Sequence, residues 1–156
     1  MRYTHTNIIA KDWRAVSLFY QKVFGCVPVP PQRDLHGEWL EKLTGIAGVQ
    51  ITGEHLRLPG YGEEGPTLEI FSYNNSIACP KQLNRHGLAH IAFEVADVRG
   101  RLALLLEEGG SLIGEVVSKQ YLGLGTGTFA YARDIEGNII ELQSWEKELI
   151  HENGDR

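Results

Sequence analysis

The chain contains itself twice, and no other feature limits its possible folds so strongly. Sliding the N-terminal segment along the chain until His5 lies on His90 also brings Asp12 onto Asp97, Arg14 onto Arg99 and Gly25 onto Gly110, without a gap. Each copy opens with an extended run, passes through an Asp suited to cap a helix, continues as an apolar helix and reaches a glycine. A second alignment, at a shorter offset, sets Glu64-Gly65-Pro66-Thr67-Leu68-Glu69-Ile70-Phe71-Ser72 against Glu136-Gly137-Asn138-Ile139-Ile140-Glu141-Leu142-Gln143-Ser144. These read as the closing strands of two modules, each introduced by a Glu-Gly turn.

Further strands fit Val27 to Val29 and Val49 to Leu58 in the first copy, and Ser111 to Val117 and Thr128 to Arg133 in the second. The expected fold is α+β: two βαβββ modules, about 1–75 and 86–145, forming a curved mixed sheet or open barrel with the helices outside. Together they make a single domain over 1–145. Because the second offset is shorter than the first, the first copy carries extra chain between its helix and its last strand, assigned to Leu35 to Gly45. There Trp39, Leu40 and Leu43 fall at helical spacing and Gly45 is a stop, so a short extra helix is expected, as a lid or as packing. The charged tail, 146–156, has no apolar periodicity and reads as a fraying last turn of helix.

Composition narrows the functional classes. Fifteen Lys and Arg against twenty Asp and Glu give a formal net charge of −5, with no basic stripe, which argues against nucleic acid and anionic membranes as partners. Apolar residues at 42% and charged residues at 22% are those of a folded globular chain. Cys26 and Cys79 lack zinc-site spacing and are read as reduced thiols. Strand-like sequence begins at once, and no window approaches ~18 consecutive apolar residues, so a cytoplasmic protein is expected.

The repeat preserves one His near the start of its first strand and one Glu in its last, giving the set His5, Glu69, His90 and Glu141. Strand alternation sets Glu69 with Phe71 and Tyr73, apart from Leu68 and Ile70; it sets Glu141 with Gln143, apart from Ile140 and Leu142. Taken singly, each is an ordinary surface or core residue. Recurring in both copies, two neutral imidazoles and two carboxylates make an N2O2 set of zero net charge around a divalent cation, with positions left for water or substrate. His86, one helical turn before His90, would pair with it on a helix, but Gly87 and the run beyond argue for strand. Gly123, Gly125 and Gly127 hint at a phosphate loop, though no helix start follows. Trp39, Tyr73, Tyr121 and Arg133 are candidates to line a pocket.

At these residues the chain resembles the vicinal oxygen chelate superfamily, which includes glyoxalase I, methylmalonyl-CoA epimerase, extradiol dioxygenases and bleomycin-resistance proteins. His5-Thr6 with Phe19-Tyr20-Gln21-Lys22-Val23-Phe24-Gly25 is similar to the start of bacterial glyoxalase I. The runs from Leu88 to Val95 and Asp134 to Leu142 are similar to the strands carrying its second His and second Glu. The resemblance extends to about Trp145 and implies paired βαβββ modules, a catalytic divalent metal (Ni, Zn, Co, Mn or Fe) on His5, Glu69, His90 and Glu141, and a homodimer. The full His/Glu/His/Glu set is the pattern of a lyase or isomerase. Such an enzyme binds a small substrate through adjacent oxygens and shifts a proton through an enediolate. Glu69 and Glu141 are then the catalytic candidates, with Glu141 slightly preferred as base. The glutathione-binding positions of bacterial glyoxalase correspond to Ile9, Tyr73 and the neighbourhood of Gly123, and do not carry over. The alternatives are a metal-free small-ligand-binding protein, an epimerase and an iron-dependent ring-cleaving dioxygenase.

Overall fold

A computed structural model describes residues 1–147. The chain divides into two compact units, Met1–Pro80 and Lys81–Arg156. The first unit runs β1 (His5–Ile9), α1 (Trp13–Phe24), β2 (Val27–His36), α2 (Glu38–Thr44), β3 (Gln50–Arg57) and β4 (Thr67–Tyr73). The second runs β5 (His90–Glu94), α3 (Val98–Glu107), β6 (Ser111–Tyr121), β7 (Gly125–Arg133) and β8 (Ile139–Glu146). Each unit forms its own four-stranded mixed sheet, in the orders β1-β4-β3-β2 and β5-β8-β7-β6. The outer pairs β1–β4 and β5–β8 are parallel and the others antiparallel. This is the expected βαβββ plan, present twice.

The helix signals act as the sequence implies. Asp12 caps α1, its carboxylate accepting from the backbone N–H of Arg14 and Ala15; Asp97 caps α3 through Arg99 N–H. Gly25 ends α1 in the left-handed conformation, φ 69°. The second copy departs here: α3 stops at Glu107, and Gly109, not Gly110, takes a positive φ. Gly110 is needed for another reason, since a Cβ on it would lie 2.5 Å from the Arg133 carbonyl and from Leu105.

In the first unit α1 lies against β3 and β4, burying Val16, Tyr20, Val23, Leu56, Leu68 and Ile70. Ser17 on α1 donates to the buried carboxyl group of Glu54 on β3, which Gln32 also approaches, so this buried polar group is hydrogen-bonded. In the second unit Leu102 and Leu105 of α3 are buried, as are Ala130, Ala132, Ile140 and Leu142 of the sheet. These aliphatic residues occupy one strand parity in each sheet, and the polar groups of the sheets lie mainly on the other.

The expected extra helix exists as α2, stopped at Gly45. It serves as packing: Leu40 is buried with Val49, Ile51 and Phe71, and Ile51 and Phe71 have the parity of Glu69. The excess chain, however, is not all at α2. His55 stands opposite Glu69 and Tyr131 opposite Glu141, so His55 and Tyr131 are repeat mates, and the offset between them lies between the His5–His90 offset and the Glu69–Glu141 offset. Most of the excess therefore precedes β3, and the remainder lies in the longer β3–β4 loop. The strand expected at Val27–Val29 continues to His36 through a bulge between Val29 and Arg33. Glu146, expected in a helical tail, ends β8; the rest of that tail, from residue 148, lies outside the described residues.

Candidate functional site

Strand parity and register together produce a His–Glu pair in each unit. In the first, the parallel register places Asn7 beside Glu69, with His5 on the same face at the start of β1. His5 Nε2 is 3.3 Å from Glu69 Oε2, and Asn7 Nδ2 donates to the same oxygen at 3.3 Å. In the second, Ala92 is beside Glu141, and His90 Nε2 is 3.0 Å from Glu141 Oε2. The carboxylates are shielded, with side-chain exposures of 14% for Glu69 and 17% for Glu141. Among the described residues neither is paired with Lys or Arg.

Each antiparallel neighbour adds a group the sequence reading missed. On β3, His55 Nε2 lies 3.1 Å from Glu69 Oε1, and its Nδ1 lies 3.1 Å from Thr67 Oγ1. Burial pushes the His55 pKa below the usual imidazole value against the opposing pull of Glu69, which favours the neutral ring. On β7, Tyr131 stands opposite Glu141 in the antiparallel register, and its ring meets His90 edge to face at 5.2 Å between centroids. Burial, then the neighbouring Glu141 charge, raise the Tyr131 pKa, so the phenol keeps its proton. A repeat search could have found both, since His55 and Tyr131 occupy one position of the module; the difference in loop length before the last strand hid the match.

The surroundings of the two pairs differ. In the first unit Phe71 sits edge to face on His55 at 5.7 Å, and Gly53 lets it approach: a Cβ there would be 2.5 Å from the Phe71 ring and 2.1 Å from the Ile70 carbonyl. Arg57 follows on the same parity with a buried Nε that has no partner, whereas its repeat mate Arg133 donates to the carbonyls of Lys81 and Gly137. In the second unit the corresponding area carries Phe129, Trp145 and Tyr121, with centroids 5.4 to 6.3 Å apart. All three are half-buried.

His5, Glu69, His90 and Glu141 thus fall into two pairs, one in each unit. Among the described residues no group of three or more His, Cys, Asp or Glu has the geometry to hold a metal ion. The donor chemistry nevertheless suits a divalent cation: imidazole nitrogen faces carboxylate oxygen in both copies, and no Lys or Arg among the described residues compensates either carboxylate. The other candidates go elsewhere. His86 is exposed in a bend; Gly123 turns the β6–β7 hairpin and Gly125 and Gly127 lie in β7; Trp39 is exposed; Arg133 ties down backbone. Tyr73 lines a hollow of about 230 Å³ with Gln50, Thr52, Ser72 and Asn74.

The model of the Glyoxalase/Bleomycin resistance protein/Dioxygenase superfamily matches residues 2–142, nearly the whole chain. The chain belongs to that superfamily. A glyoxalase family protein from Bacillus cereus is 23% identical, with 93% of each chain covered and a TM-score of 0.73. One from Enterococcus faecalis is 24% identical, covering 91% of this chain and 96% of that one, with a TM-score of 0.62. A variant of the fosfomycin resistance protein FosX from Listeria monocytogenes, complexed with Mn(II) and 1S,2S-dihydroxypropylphosphonic acid, is 15% identical over 90% of each chain, with a TM-score of 0.53. No curated protein sequence matches. At these identities the solved structures establish the superfamily's fold. No helix among the described residues is long and apolar enough to cross a membrane.

Proposed function

We propose that this superfamily member is a divalent-metal-dependent lyase or isomerase of glyoxalase type, with His5, Glu69, His90 and Glu141 as the metal-holding set. The observation that carries this reading is the duplicated His–Glu pair, each carboxylate shielded and without a cationic partner among the described residues. A divalent cation offsets both charges at once. When bound, it supplies Lewis acidity, withdrawing charge from a substrate carbonyl and acidifying the neighbouring C–H.

His5 and His90 act as neutral nitrogen donors and Glu69 as an oxygen donor. Glu141 takes the proton from one carbon of the substrate and returns it to the next carbon or to the other face. The electron pair of the broken C–H bond passes through an enediolate and ends in the new C–H bond. Tyr131, opposite Glu141 in the register and keeping its proton, is the donor assigned to steady that carboxylate. The substrate class is a small molecule with adjacent oxygens, such as a hydroxy-ketone, a hemithioacetal or a 2-substituted thioester. The FosX complex with Mn(II) and a dihydroxy compound supports that class. Glutathione is not part of the proposal, because Ile9, Tyr73 and Gly123 stand where its binding residues would be. A cytoplasmic homodimer is the proposed setting.

The test is elemental analysis of protein purified without chelator, beside Glu141→Ala. About one equivalent of a divalent metal, lost in the variant, is expected; deuterium exchange into hemithioacetals and acyl-CoA thioesters then identifies the substrate. No metal, even after reconstitution with nickel, zinc, cobalt, manganese and iron, overturns the reading. The half-buried rings of Tyr121, Phe129 and Trp145 favour a second reading, a metal-free protein that binds an aromatic ligand. Quenching of tryptophan emission by such ligands in chelator-treated protein would support it.

A further inference from the structure

The two carboxylates are not held alike. Glu69 is engaged at both oxygens: Oε2 faces His5 and Asn7, and Oε1 faces His55. Behind His55 stands Thr67, on the same strand and of the same parity as Glu69, its Oγ1 3.1 Å from Nδ1. A neutral imidazole has one N–H. With Nε2 against a carboxylate acceptor, that nitrogen carries the proton; Nδ1 is then an acceptor, and the Thr67 hydroxyl is a donor that satisfies it. The result is one directed chain, in which Thr67 O–H donates to His55 Nδ1 and His55 Nε2–H donates to Glu69 Oε1. The second unit has no such chain, since Tyr131 stands at the position of His55 and Ile139 at that of Thr67. Both members of the relay are present in one copy and both are absent from the other, as expected if they work together.

We propose that the Thr67–His55 relay is a positioning device for Glu69, fixing the carboxylate plane and occupying Oε1 so that Oε2 alone is offered to a cation. His55 is thus a positioning residue, and Glu69 a one-oxygen donor. The inference rests on the reading of His5, Glu69, His90 and Glu141 as a metal-holding set, and it concerns the affinity of that set.

The test is calorimetric titration of chelator-treated protein with Ni(II), Zn(II) and Mn(II), each alone, for wild type, His55→Ala, His55→Gln, Thr67→Val and Glu69→Gln. Removing an outer hydrogen-bond partner of a metal ligand typically weakens binding ~10- to 100-fold. His55→Ala is expected to show that loss, and Thr67→Val a smaller, several-fold one. His55→Gln restores an N–H donor and should recover most of the affinity. Melting temperatures of the metal-free variants separate this from a general loss of structure, and Thr67→Val and His55→Gln keep the test open if His55→Ala does not fold. If Glu69→Gln weakens binding while His55→Ala and Thr67→Val bind as tightly as wild type, the relay is overturned and the metal set stands. If wild type binds none of the three metals, the set fails and the relay fails with it.

Discussion

Tyr131 stands opposite Glu141 at the strand position that His55 occupies opposite Glu69 in the other unit. One module position therefore carries a phenol in one copy and an imidazole in the other, each opposite that copy's glutamate. The two glutamates therefore have different neighbours: a phenol opposite Glu141, and contacts at both oxygens of Glu69.

Tyr131→Phe keeps the ring against His90 and removes only the hydroxyl. A hydrogen bond to a charged group contributes ~1.5–3 kcal/mol, or about a ten- to hundredfold effect. The expected outcome is a fall in kcat of that size with metal content unchanged, checked by steady-state kinetics beside elemental analysis. A parallel loss of metal would place Tyr131 in support of the binding set instead.

Leu40 and Leu43 lie on the same short helix but differ in burial, at 2% and 73% exposed. Leu40→Ala leaves a cavity against Val49, Ile51 and Phe71 and should destabilise by ~2–5 kcal/mol. Leu43→Ala should stay within ~0.5 kcal/mol of wild type. Urea unfolding of the two variants measures the contrast, and equal effects would deny α2 its anchoring role.

Gly53→Ala meets both a strained backbone, φ 154°, and a carbonyl 2.1 Å from the new Cβ. Because the obstacle is backbone, β3 or β4 must shift, and a loss of ~2–4 kcal/mol is expected, above the usual cost of overpacking. Gly127→Ala meets only side chains, the Phe129 ring at 2.4 Å and Trp145 at 3.1 Å. It should alter near-ultraviolet circular dichroism through those rings more than it lowers the melting temperature.

Burial pushes the Cys26 thiol up to about 12 from its ordinary 9.0, while Cys79 is exposed. In the native protein at neutral pH one thiol should react with a disulfide reagent, and the second only on unfolding. The raised folded value also sets a sign. Stability is full below pH 9 and falls as pH rises toward 12, because only the unfolded chain readily loses the proton. The slope contributed by this group is at most ~1.4 kcal/mol per pH unit, and Cys26→Ala should remove it. Denaturant midpoints measured from mildly to strongly alkaline pH check both statements.

The architecture was readable because duplication supplies two independent copies of each signal. Asp12 with Asp97 and Gly25 marked helix limits, and Leu68 and Ile70 against Glu69 fixed the strand parity. His55 escaped the sequence reading. Its role comes from antiparallel register with Glu69, a relation across the β3–β4 loop that sequence spacing does not encode, and its repeat mate is a tyrosine. The position of α2 escaped for a similar reason: helical spacing at Leu40 says that one side is buried, not which face of the sheet receives it.

The outermost strand of the first sheet, β2, carries Pro28, Pro30 and Pro31 and is broken by a bulge after Val29. Proline has no N–H to donate, and a bulge interrupts the even row of donors and acceptors that an incoming strand would need. Over Val27–Pro31 this border therefore resists sheet extension, and only the short run Arg33–His36 keeps a regular row of donors and acceptors. A crowded or partly unfolded population would find a much shorter template for polymerisation along it, so the covalent structure itself lowers the hazard of fibrous growth on that side.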